Sequence, residues 1–337
     1  MIKQLFIACL LITLVGCFPS KNLDKKEVLL QGRTMGTTYN IKVIVENDSI
    51  DTVNLQTKID SALVTVNQEM STYITDSELS TFNQHRSYEP VAISNGLTRV
   101  IKEAIRLGIL SNGSLDVTVG PLVNLWGFGP EYQLERIPSE ELLTSTKARV
   151  GIQHIQLEGN ELSKSIDDLY IDLSTIAKGY GVDLIAELIE NNNIQNYLVE
   201  IGGEMRLKGF KHTGELWHVA IEKPITTERA VQQVIVPQDN AVATSGDYRI
   251  YFESEGQRFS HIIDPATGKP INHKLVSVTV IHPSSMTADG LSTAMMVMGE
   301  EKALKFAEEN DIAAYLISKT SNGFVEQSTV KFSKFLK

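Results

Sequence analysis

The sequence predicts an α+β fold in which mixed or antiparallel sheets pack against helices. Predicted strands and helices interleave without the strict βαβ alternation that a parallel sheet requires. No repeat, low-complexity tract or Pro-rich linker divides residues 28–337. The chain has 337 residues, of which 42% are hydrophobic, which is enough for a sizeable core. We therefore expect one unit, which could be two-lobed around a cleft.

Hydrophobic spacing defines the elements of the first half. Leu55, Ile59, Leu63, Val66 and Met70 recur every three or four positions, which indicates a helix. The predicted elements are, in order, two strands within 28–46 around the turn Thr34-Met35-Gly36-Thr37, helices at 55–70 and 97–105, a short helix around Leu79 and Phe82 capped by Asp76, and an ordered loop at 115–129.

The second half is predicted to be richer in strands. Short runs of β-branched and aromatic residues are bounded by Gly, Pro, Asn and Asp, as is typical of strands joined by turns. The predicted strands are 197–201, 217–222, 231–236, 249–252, 276–281 and 313–318, and the predicted helices are 174–190, 288–298 and 301–309. Gly202-Gly203-Glu204 and Thr244-Ser245-Gly246-Asp247 are interpreted as glycine turns.

The N-terminus resembles the signal of a bacterial lipoprotein. Lys3 precedes an apolar run, Leu5–Val15, which is shorter than the about 20 residues that a membrane span needs. Leu14-Val15-Gly16-Cys17 matches the lipobox pattern, and the match implies cleavage before Cys17, lipid on its thiol and export. We predict a signal peptide at 1–16, a lipidated tether at 17–27 and a catalytic unit at 28–337. An ordinary signal peptide with a chance cysteine is the alternative.

Composition excludes several classes of function. The chain contains two cysteines, Cys9 and Cys17, and both belong to the signal or the anchor, which excludes cysteine nucleophiles, thiolate zinc sites and disulfides in the remaining domain. The net charge is −10 and no Lys/Arg-rich block is present, so nucleic-acid binding is not expected. An acidic protein that handles phosphates would do so most naturally through a bound cation.

Asp289 and Thr293 suggest a site for such a cation. They are separated by four residues, so on a helix their side chains share one face. A carboxylate and a hydroxyl supply only oxygen ligands, which suits Mg²⁺ rather than zinc. The alternative is that Asp289 caps its own helix and that Thr293 is an ordinary helical residue.

The segment 172–181 predicts a strand end, a turn and a helix start. The N–H groups at a helix N-terminus bind phosphate oxygens, and Lys178 would add a positive charge beside them. A capped surface helix with a solvated lysine remains the alternative.

His261 is a candidate for proton transfer because of its neighbours, although a lone histidine is usually structural. It lies in Ser260-His261-Ile262-Ile263-Asp264-Pro265-Ala266-Thr267-Gly268, which combines an imidazole, a carboxylate and a Pro/Gly turn. An imidazole with an unperturbed pKa near 6.5 can accept a proton from a hydroxyl nucleophile at neutral pH. Met35, Tyr73 and Trp126 lie in loop-like surroundings where a planar ring could stack, although a core role is equally compatible with them.

Together, these segments resemble the ApbE-type flavin transferases, which are FAD:protein FMN transferases and bacterial lipoproteins. The resemblance runs in family order from residue 34 to about residue 299. It rests on Thr34-Met35-Gly36-Thr37, Ser71-Thr72-Tyr73, 116–122, 172–181, Gly202-Gly203-Glu204, 243–247, 260–268 and 287–293. Family members frequently have glycines after the position of Asp172, where this chain has Ser174 and Thr175.

The resemblance implies an activity and a set of site residues. The family takes FMN from FAD, joins it through a phosphoester to a threonine of an acceptor protein, and releases AMP. The acceptors are membrane redox-pump subunits and related flavoproteins outside the cytoplasm, which places this chain on the periplasmic side of a membrane. The implied roles are Mg²⁺ binding by Asp289, Thr293 and the Thr175 carbonyl, catalysis by His261 and Asp289, and lining of a FAD cleft by Met35, Tyr73, Ser114, Leu115, Asp116, Asp172, Lys178 and Ile263.

Two other functions would use the same cleft. One is a Mg²⁺-dependent FAD pyrophosphatase, in which water replaces the threonine hydroxyl and free FMN and AMP are released. The other is a non-catalytic periplasmic flavin-binding lipoprotein, in which FAD stays intact.

Overall fold

The computed structural model describes residues 25–46, 50–129, 137–225, 230–248, 250–254 and 257–337. The predicted signal peptide, Cys17 and most of the predicted tether lie outside these residues. Within them, no helix combines the length and the hydrophobicity needed to cross a membrane.

The helices follow the apolar stripes seen in the sequence. The helix over Leu55–Met70 buries the five predicted positions and begins at the cap Asp51, whose carboxylate accepts a hydrogen bond from Asn54 N–H. The helices are α1 (Thr52–Met70), α2 (Glu78–Gln84), α3 (Asn95–Leu110), α4 (Gly120–Leu125), α5 (Glu140–Lys147), α6 (Ala177–Asn191), α7 (Ser285–Met298), α8 (Glu300–Glu309) and α9 (Val330–Ser333), with one 3₁₀ turn at Ile152–His154.

Strands form one large sheet and four small ones within the described residues. The strands are β1 (Lys25–Thr34), β2 (Thr37–Glu46), β3 (Val91–Ala92), β4 (Ile155–Glu158), β5 (Glu161–Lys164), β6 (Tyr197–Ile201), β7 (Glu204–Lys208), β8 (Val219–Glu222), β9 (Val231–Ile235), β10 (Ala241–Gly246), β11 (Tyr251–Ser254), β12 (Gln257–Ser260), β13 (Ile263–Asp264), β14 (Lys269–Pro270), β15 (Leu275–His282), β16 (Ala313–Thr320) and β17 (Gly323–Ser328).

The large sheet is antiparallel throughout and has the order β1-β2-β6-β7-β10-β15-β16-β17. The small sheets are β3-β5-β4, β8-β9, β11-β12 and β13-β14. This mixture of a large antiparallel sheet and packed helices confirms the α+β class. The segment β1 begins at Lys25, three residues before the predicted start of the unit.

Both faces of the large sheet are covered, which explains why β15 is buried from Leu275 to Ile281. On one face, Val278 and Val280 pack with residues of α3 and α7. On the other face, Val276 and Ile281 pack with β8, β9 and the C-terminal residues Phe332 and Phe335. Ser277 and Thr279 interrupt the apolar residues of this strand and are themselves buried, so the sequence of β15 does not show the continuous apolar run that is common in strands covered on both faces.

Several local predictions were wrong. Ser77, not Asp76, caps α2, because its hydroxyl accepts a hydrogen bond from Ser80 N–H at 3.0 Å. The predicted loop at 115–129 contains the short helix α4, which begins with Gly120 and a proline. The elements α5, β7 and β10 were not predicted, and β10 includes three residues that had been interpreted as a turn, Thr244-Ser245-Gly246.

Candidate active site

A cavity of about 440 Å³ opens beside the N-terminal end of α6 and along one face of α7. Every residue that was predicted to bind metal, bind flavin or transfer protons lines this cavity, except Met35 and Trp126. These residues are Tyr73, Ser114, Leu115, Asp116, Asp172, Thr175, Lys178, His261, Ile263, Asp289 and Thr293. Trp126 has the core role that was left open for it, since it is buried and stacks on Phe259. Met35 lines a neighbouring cavity of about 760 Å³, and Tyr73, Asp172 and Lys178 belong to the walls of both. Residues far apart in sequence therefore surround two adjoining cavities.

The close approach of α6 and α7 places Asp289. A Cβ atom on Gly179 would lie 2.4 Å from the carbonyl oxygen of Ser285, so only glycine permits this contact. The helix α6 starts after Ile176, which has no side-chain oxygen to serve as a cap. Asp289 takes that place, since its Oδ2 accepts a hydrogen bond from Gly179 N–H at 2.9 Å.

This geometry argues against Asp289 as the cap of its own helix. The helix α7 is capped by Ser284, whose hydroxyl accepts a hydrogen bond from Thr287 N–H at 3.2 Å. Asp289 lies one turn further along α7, is only 3% exposed, and points toward α6. Its carboxylate is thus held at the cavity wall by the neighbouring helix.

Asp183 makes the opposite contact, from α6 to the start of α7. Its two carboxylate oxygens accept hydrogen bonds from Ser285 N–H and Met286 N–H, both at 3.0 Å. Ser284 Oγ donates a further bond at 2.7 Å, and Arg206 Nη1 lies 3.0 Å from Oδ1. Asp183 is fully buried and is a site-supporting residue that the sequence analysis did not single out.

Three charged groups meet at the floor of the cavity. Lys178 Nζ lies 3.5 Å from Glu204 Oε1 and 4.0 Å from Asp289 Oδ2. Burial, opposed by Lys178 and reinforced by Asp289, raises the pKa of Glu204 to about 8. Burial also raises the pKa of Asp289, although Lys178 and Gly179 N–H oppose the shift. Burial lowers the pKa of Lys178, but the nearby carboxyl groups of Asp289 and Glu204 have a larger opposite effect, so the pKa is raised overall.

Two buried carboxyl groups therefore share one lysine, and a further cation beside them would favour the charged form of both. Oxygen donors for such a cation are close by. In a regular helix, Gly179 N–H would donate to the carbonyl of Thr175, but here it donates to Asp289. The neighbouring helical bonds run from Ala177 N–H to the Leu173 carbonyl and from Tyr180 N–H to the Ile176 carbonyl. This pattern passes over the Thr175 carbonyl and leaves it available. A carboxylate, a hydroxyl and a carbonyl fit Mg²⁺.

His261 is oriented by a backbone carbonyl. Its Nδ1 lies 3.0 Å from the oxygen of Ile250. Because a carbonyl only accepts, Nδ1 carries the hydrogen and Nε2 keeps its lone pair. Burial, opposed by the bond to Ile250 and reinforced by Lys178, lowers the pKa of His261 below its usual value. The ring is therefore neutral at pH 7 and can accept a proton at Nε2.

Met35 and Tyr73 border the larger cavity. Met35 lies in the two-residue turn between β1 and β2, and both turn residues have positive φ, +48° at Met35 and +70° at Gly36. The methionine side chain reaches α6, where a Cβ on Gly181 would lie 2.9 Å from Met35 Cε. Tyr73 is 72% exposed at the rim. A polarisable thioether and an exposed aromatic ring thus border a space large enough for a planar ring system.

The two predicted aspartates at 116 and 172 also support backbone turns. Asp116 accepts bonds from Thr118 N–H and Oγ1 at 2.8 and 2.6 Å and from Ile152 N–H at 3.2 Å. Asp172 accepts a bond from Ser174 N–H at 2.8 Å, just before α6. The carboxylate of Asp116 is therefore committed to holding the cavity wall.

Glu204 and Ser245 are cavity residues that the sequence analysis quoted within turns but gave no role. Glu204 is 4% exposed, and its Oε2 has no hydrogen-bond partner among the described residues. Ser245 lines the cavity from β10. The sequence signal for Glu204 was its position directly after two glycines, at the start of a strand. Ser245 was missed because the end of β10 was predicted to be a turn.

Comparison with known proteins gives concordant matches. The sequence model of the ApbE family matches residues 35–316. An FAD:protein FMN transferase from Vibrio cholerae is 55% identical over 326 residues, which cover 97% of this chain and 96% of that protein. The FAD:protein FMN transferase of Haemophilus influenzae is 50% identical over 342 residues, with 99% and 97% of the two chains covered.

Solved structures give the same result. The flavin transferase ApbE from Vibrio cholerae superposes with a TM-score of 0.87 at 55% identity, covering 93% of this chain and 100% of that one. The apo form of the Pseudomonas stutzeri flavinyl transferase ApbE has a TM-score of 0.86 at 39% identity, covering 93% and 97%.

Proposed function

This chain belongs to the ApbE family and is a transferase that takes flavin from FAD, and we propose that it transfers FMN to a threonine hydroxyl of an acceptor protein. The reaction depends on Mg²⁺, forms a phosphoester and releases AMP. The observation that carries the proposal is that His261, Lys178 and Asp289 line one cavity, together with the oxygen donors of a cation site.

Three groups would hold Mg²⁺: the Asp289 carboxylate, the Thr293 hydroxyl and the Thr175 carbonyl. When bound, Mg²⁺ supplies Lewis-acid stabilisation of the diphosphate and of the departing AMP. Its charge would also offset the two buried carboxylates that share Lys178. Asp289 serves here as both a ligand and the cap of α6.

Lys178 and the start of α6 would bind the diphosphate of FAD. Lys178 is the second residue of α6, and the positive dipole end of the helix would add to its charge; the neighbouring N–H groups of Ala177 and Gly179 are already bonded within the protein. The carboxylates of Glu204 and Asp289 keep the lysine charged and fix its position. Phosphoryl transfer relies mainly on such positioning and neutralisation of charge.

His261 would accept the proton of the acceptor threonine. The threonine oxygen bonds to the phosphorus of the FMN half, the bond between that phosphorus and the oxygen bridging to AMP breaks, and AMP leaves with the electron pair. The proton moves to Nε2, which is the free nitrogen because Nδ1 donates to Ile250. The lowered pKa of His261 keeps the base neutral before the reaction.

Met35 and Tyr73 would contact the isoalloxazine ring in the larger cavity. The remaining predicted residues, namely Ser114, Leu115, Asp116, Asp172 and Ile263, would line the FAD cleft. Their common position along one cleft supports these assignments.

We infer the location from the N-terminal signal and the class of acceptor from the family resemblance. The protein would be exported, anchored through lipid on Cys17, and tethered by residues 17–27 so that the unit 28–337 lies on the periplasmic side of a bacterial membrane. Its acceptors there would be membrane redox-pump subunits or related flavoproteins. With Cys17→Ser, we expect the protein to move from the membrane fraction to the soluble fraction; an unchanged distribution would contradict the anchor.

The decisive experiment incubates the purified protein with FAD, Mg²⁺ and an acceptor protein that carries the target threonine. We expect flavin fluorescence on the acceptor band in a denaturing gel, and none on the Thr→Val acceptor. Chelation of Mg²⁺ should abolish the signal. With His261→Ala, transfer should fall by about 10²–10⁴-fold while FAD still binds, because one general base is lost. The exposed His212→Ala should transfer at the wild-type rate.

The same assay distinguishes the two rival functions. Free FMN and AMP without labelled acceptor would identify a pyrophosphatase. FAD that stays intact in the presence of Mg²⁺ and acceptor would identify a flavin-binding protein. Either result would contradict the proposed transfer.

A further inference from the structure

A short series of hydroxyl groups connects β10 to the cation site. Ser292 Oγ lies 2.9 Å from the backbone carbonyl of Asp289, one turn earlier on α7. Ser245 Oγ, on β10, lies 2.7 Å from Ser292 Oγ and 3.2 Å from Thr293 Oγ1. Ser292 is fully buried, whereas Ser245 and Thr293 line the cavity.

The bond from Ser292 to the Asp289 carbonyl determines the direction of the other hydrogen bonds in the series. The Asp289 carbonyl can only accept, so Ser292 donates its single hydrogen there. Ser292 Oγ then accepts from Ser245, whose hydrogen is used in that bond. Ser245 Oγ can therefore only accept from Thr293. The hydrogen of Thr293 Oγ1 points at Ser245, and the oxygen lone pairs face elsewhere.

The same bonds disfavour a competing arrangement of Thr293. A helical threonine commonly donates its hydroxyl to the carbonyl four residues earlier, which here is that of Asp289. Ser292, three residues after Asp289 on the same helix, already donates to that carbonyl. Ser245 then provides the acceptor that Thr293 needs.

We propose that Ser245 is a positioning residue, which holds the Thr293 hydroxyl with its lone pairs directed at Mg²⁺. The inference rests on the proposed function, because it assumes that Thr293 is a metal ligand. A neutral hydroxyl binds a cation well only when its hydrogen is turned away from the ion. Groups that orient a ligand in this manner typically contribute about 10–100-fold to metal affinity.

Metal binding measured by titration calorimetry with Mg²⁺ alone, without FAD, tests this role. Ser245→Ala should weaken Mg²⁺ binding by about tenfold, and Ser245→Thr, which keeps a hydroxyl on the strand, should restore most of the affinity. Ser292→Ala should have a smaller effect, because Ser245 can still accept from Thr293. The melting temperature of each metal-free variant verifies that the protein is folded.

A double-mutant cycle separates positioning from a direct contact with the metal. If Ser245 acts through Thr293, Ser245→Ala added to Thr293→Val should weaken Mg²⁺ binding no further. Additive losses would overturn the inference. Thr279→Val is the matched control, since it removes a buried hydroxyl that pairs with Thr244 instead, and it should leave Mg²⁺ affinity unchanged.

The outcomes also separate this inference from the proposed function. If Thr293→Val binds Mg²⁺ as the wild type does, the proposed cation site is wrong and the inference falls with it. If Thr293→Val loses affinity while Ser245→Ala keeps it, the cation site stands and only the positioning role of Ser245 is overturned.

Discussion

Asp183 and Asp289 cap each other's helices. Asp183, on α6, accepts hydrogen bonds from Ser285 N–H and Met286 N–H at the start of α7. Asp289, on α7, accepts one from Gly179 N–H at the start of α6. The two carboxylates thereby join the helices at the point where both begin, and the cavity opens beside this junction. The contacts that hold the two helices together therefore also position the residues of the site.

Asp183→Ala should destabilise the protein strongly. The change removes the acceptor for both α7 N–H groups and the partner of Arg206, so we expect the free energy of unfolding to fall by about 3–5 kcal/mol. Urea denaturation at neutral pH measures this. Glu187→Ala, on the same helix, breaks the exposed pair with Arg99 and should remove about 0–1 kcal/mol. Equal losses in the two variants would show that the buried cap has no special importance.

Asp289→Asn should separate metal binding from stability. The amide oxygen can still accept the bond from Gly179 N–H, so α6 keeps its cap. Burial disfavours the charged form of Asp289, as its raised pKa shows, so the neutral amide should leave the melting temperature of the metal-free protein unchanged or higher. Calorimetry should detect no Mg²⁺ binding and the transfer assay no product. Retained Mg²⁺ affinity would remove Asp289 from the cation site.

The rate of transfer should depend on pH through His261. Its pKa is lowered below 6.5, so the ring is neutral and active above that value, and the rate should fall as pH drops through the lowered pKa. Below it, kcat/KM should fall about tenfold per pH unit, since only the neutral fraction reacts. The profile is measured with saturating Mg²⁺, so that protonation of the metal ligands contributes little.

His261→Gln is the control for this profile. It should have a much lower rate and should lack the acid limb. An unchanged acid limb in this variant would assign the titration to another group.

Two glycines on α6 should respond differently to alanine. At Gly179 the added Cβ would meet the backbone of Ser285 at 2.4 Å, whereas at Gly181 it would meet the flexible end of Met35 at 2.9 Å. We expect Gly179→Ala to reduce stability by about 3 kcal/mol or more, because it forces the two helices apart. Gly181→Ala should change stability little but should raise the KM for FAD severalfold by displacing Met35. Thermal denaturation and steady-state kinetics measure the two effects, and a reversed order would contradict them.

The parts of the fold that are encoded locally could be predicted from the sequence. The stripe from Leu55 to Met70 gave α1 because one face of it is buried along its whole length. The turn before β2 could be predicted because Gly36 tolerates positive φ, although the positive φ of Met35 could not. The cleft residues were found through the family resemblance, and the structure brings them together around adjoining cavities.

What could not be predicted depends on contacts between distant segments. The strand β10 has the sequence Ala-Val-Ala-Thr-Ser-Gly, whose small residues show no alternation, and it is a strand because β7 and β15 flank it. The helix α5 is mostly polar and gives little apolar signal. Asp183 looks like an ordinary helical residue until α7 is placed against α6.

The hairpin of β1 and β2 separates Lys25 from the turn at Met35. Lys25 pairs with Glu46 at one end, and Thr34 pairs with Thr37 beside Met35 at the other. Ten residues per strand span about 30 Å, since each residue advances about 3.4 Å. With the chain attached through Cys17 as proposed, the flavin would be handled roughly one bilayer thickness away from the point of attachment. The enzyme would then reach acceptor domains that project from the lipid surface rather than loops that lie on it.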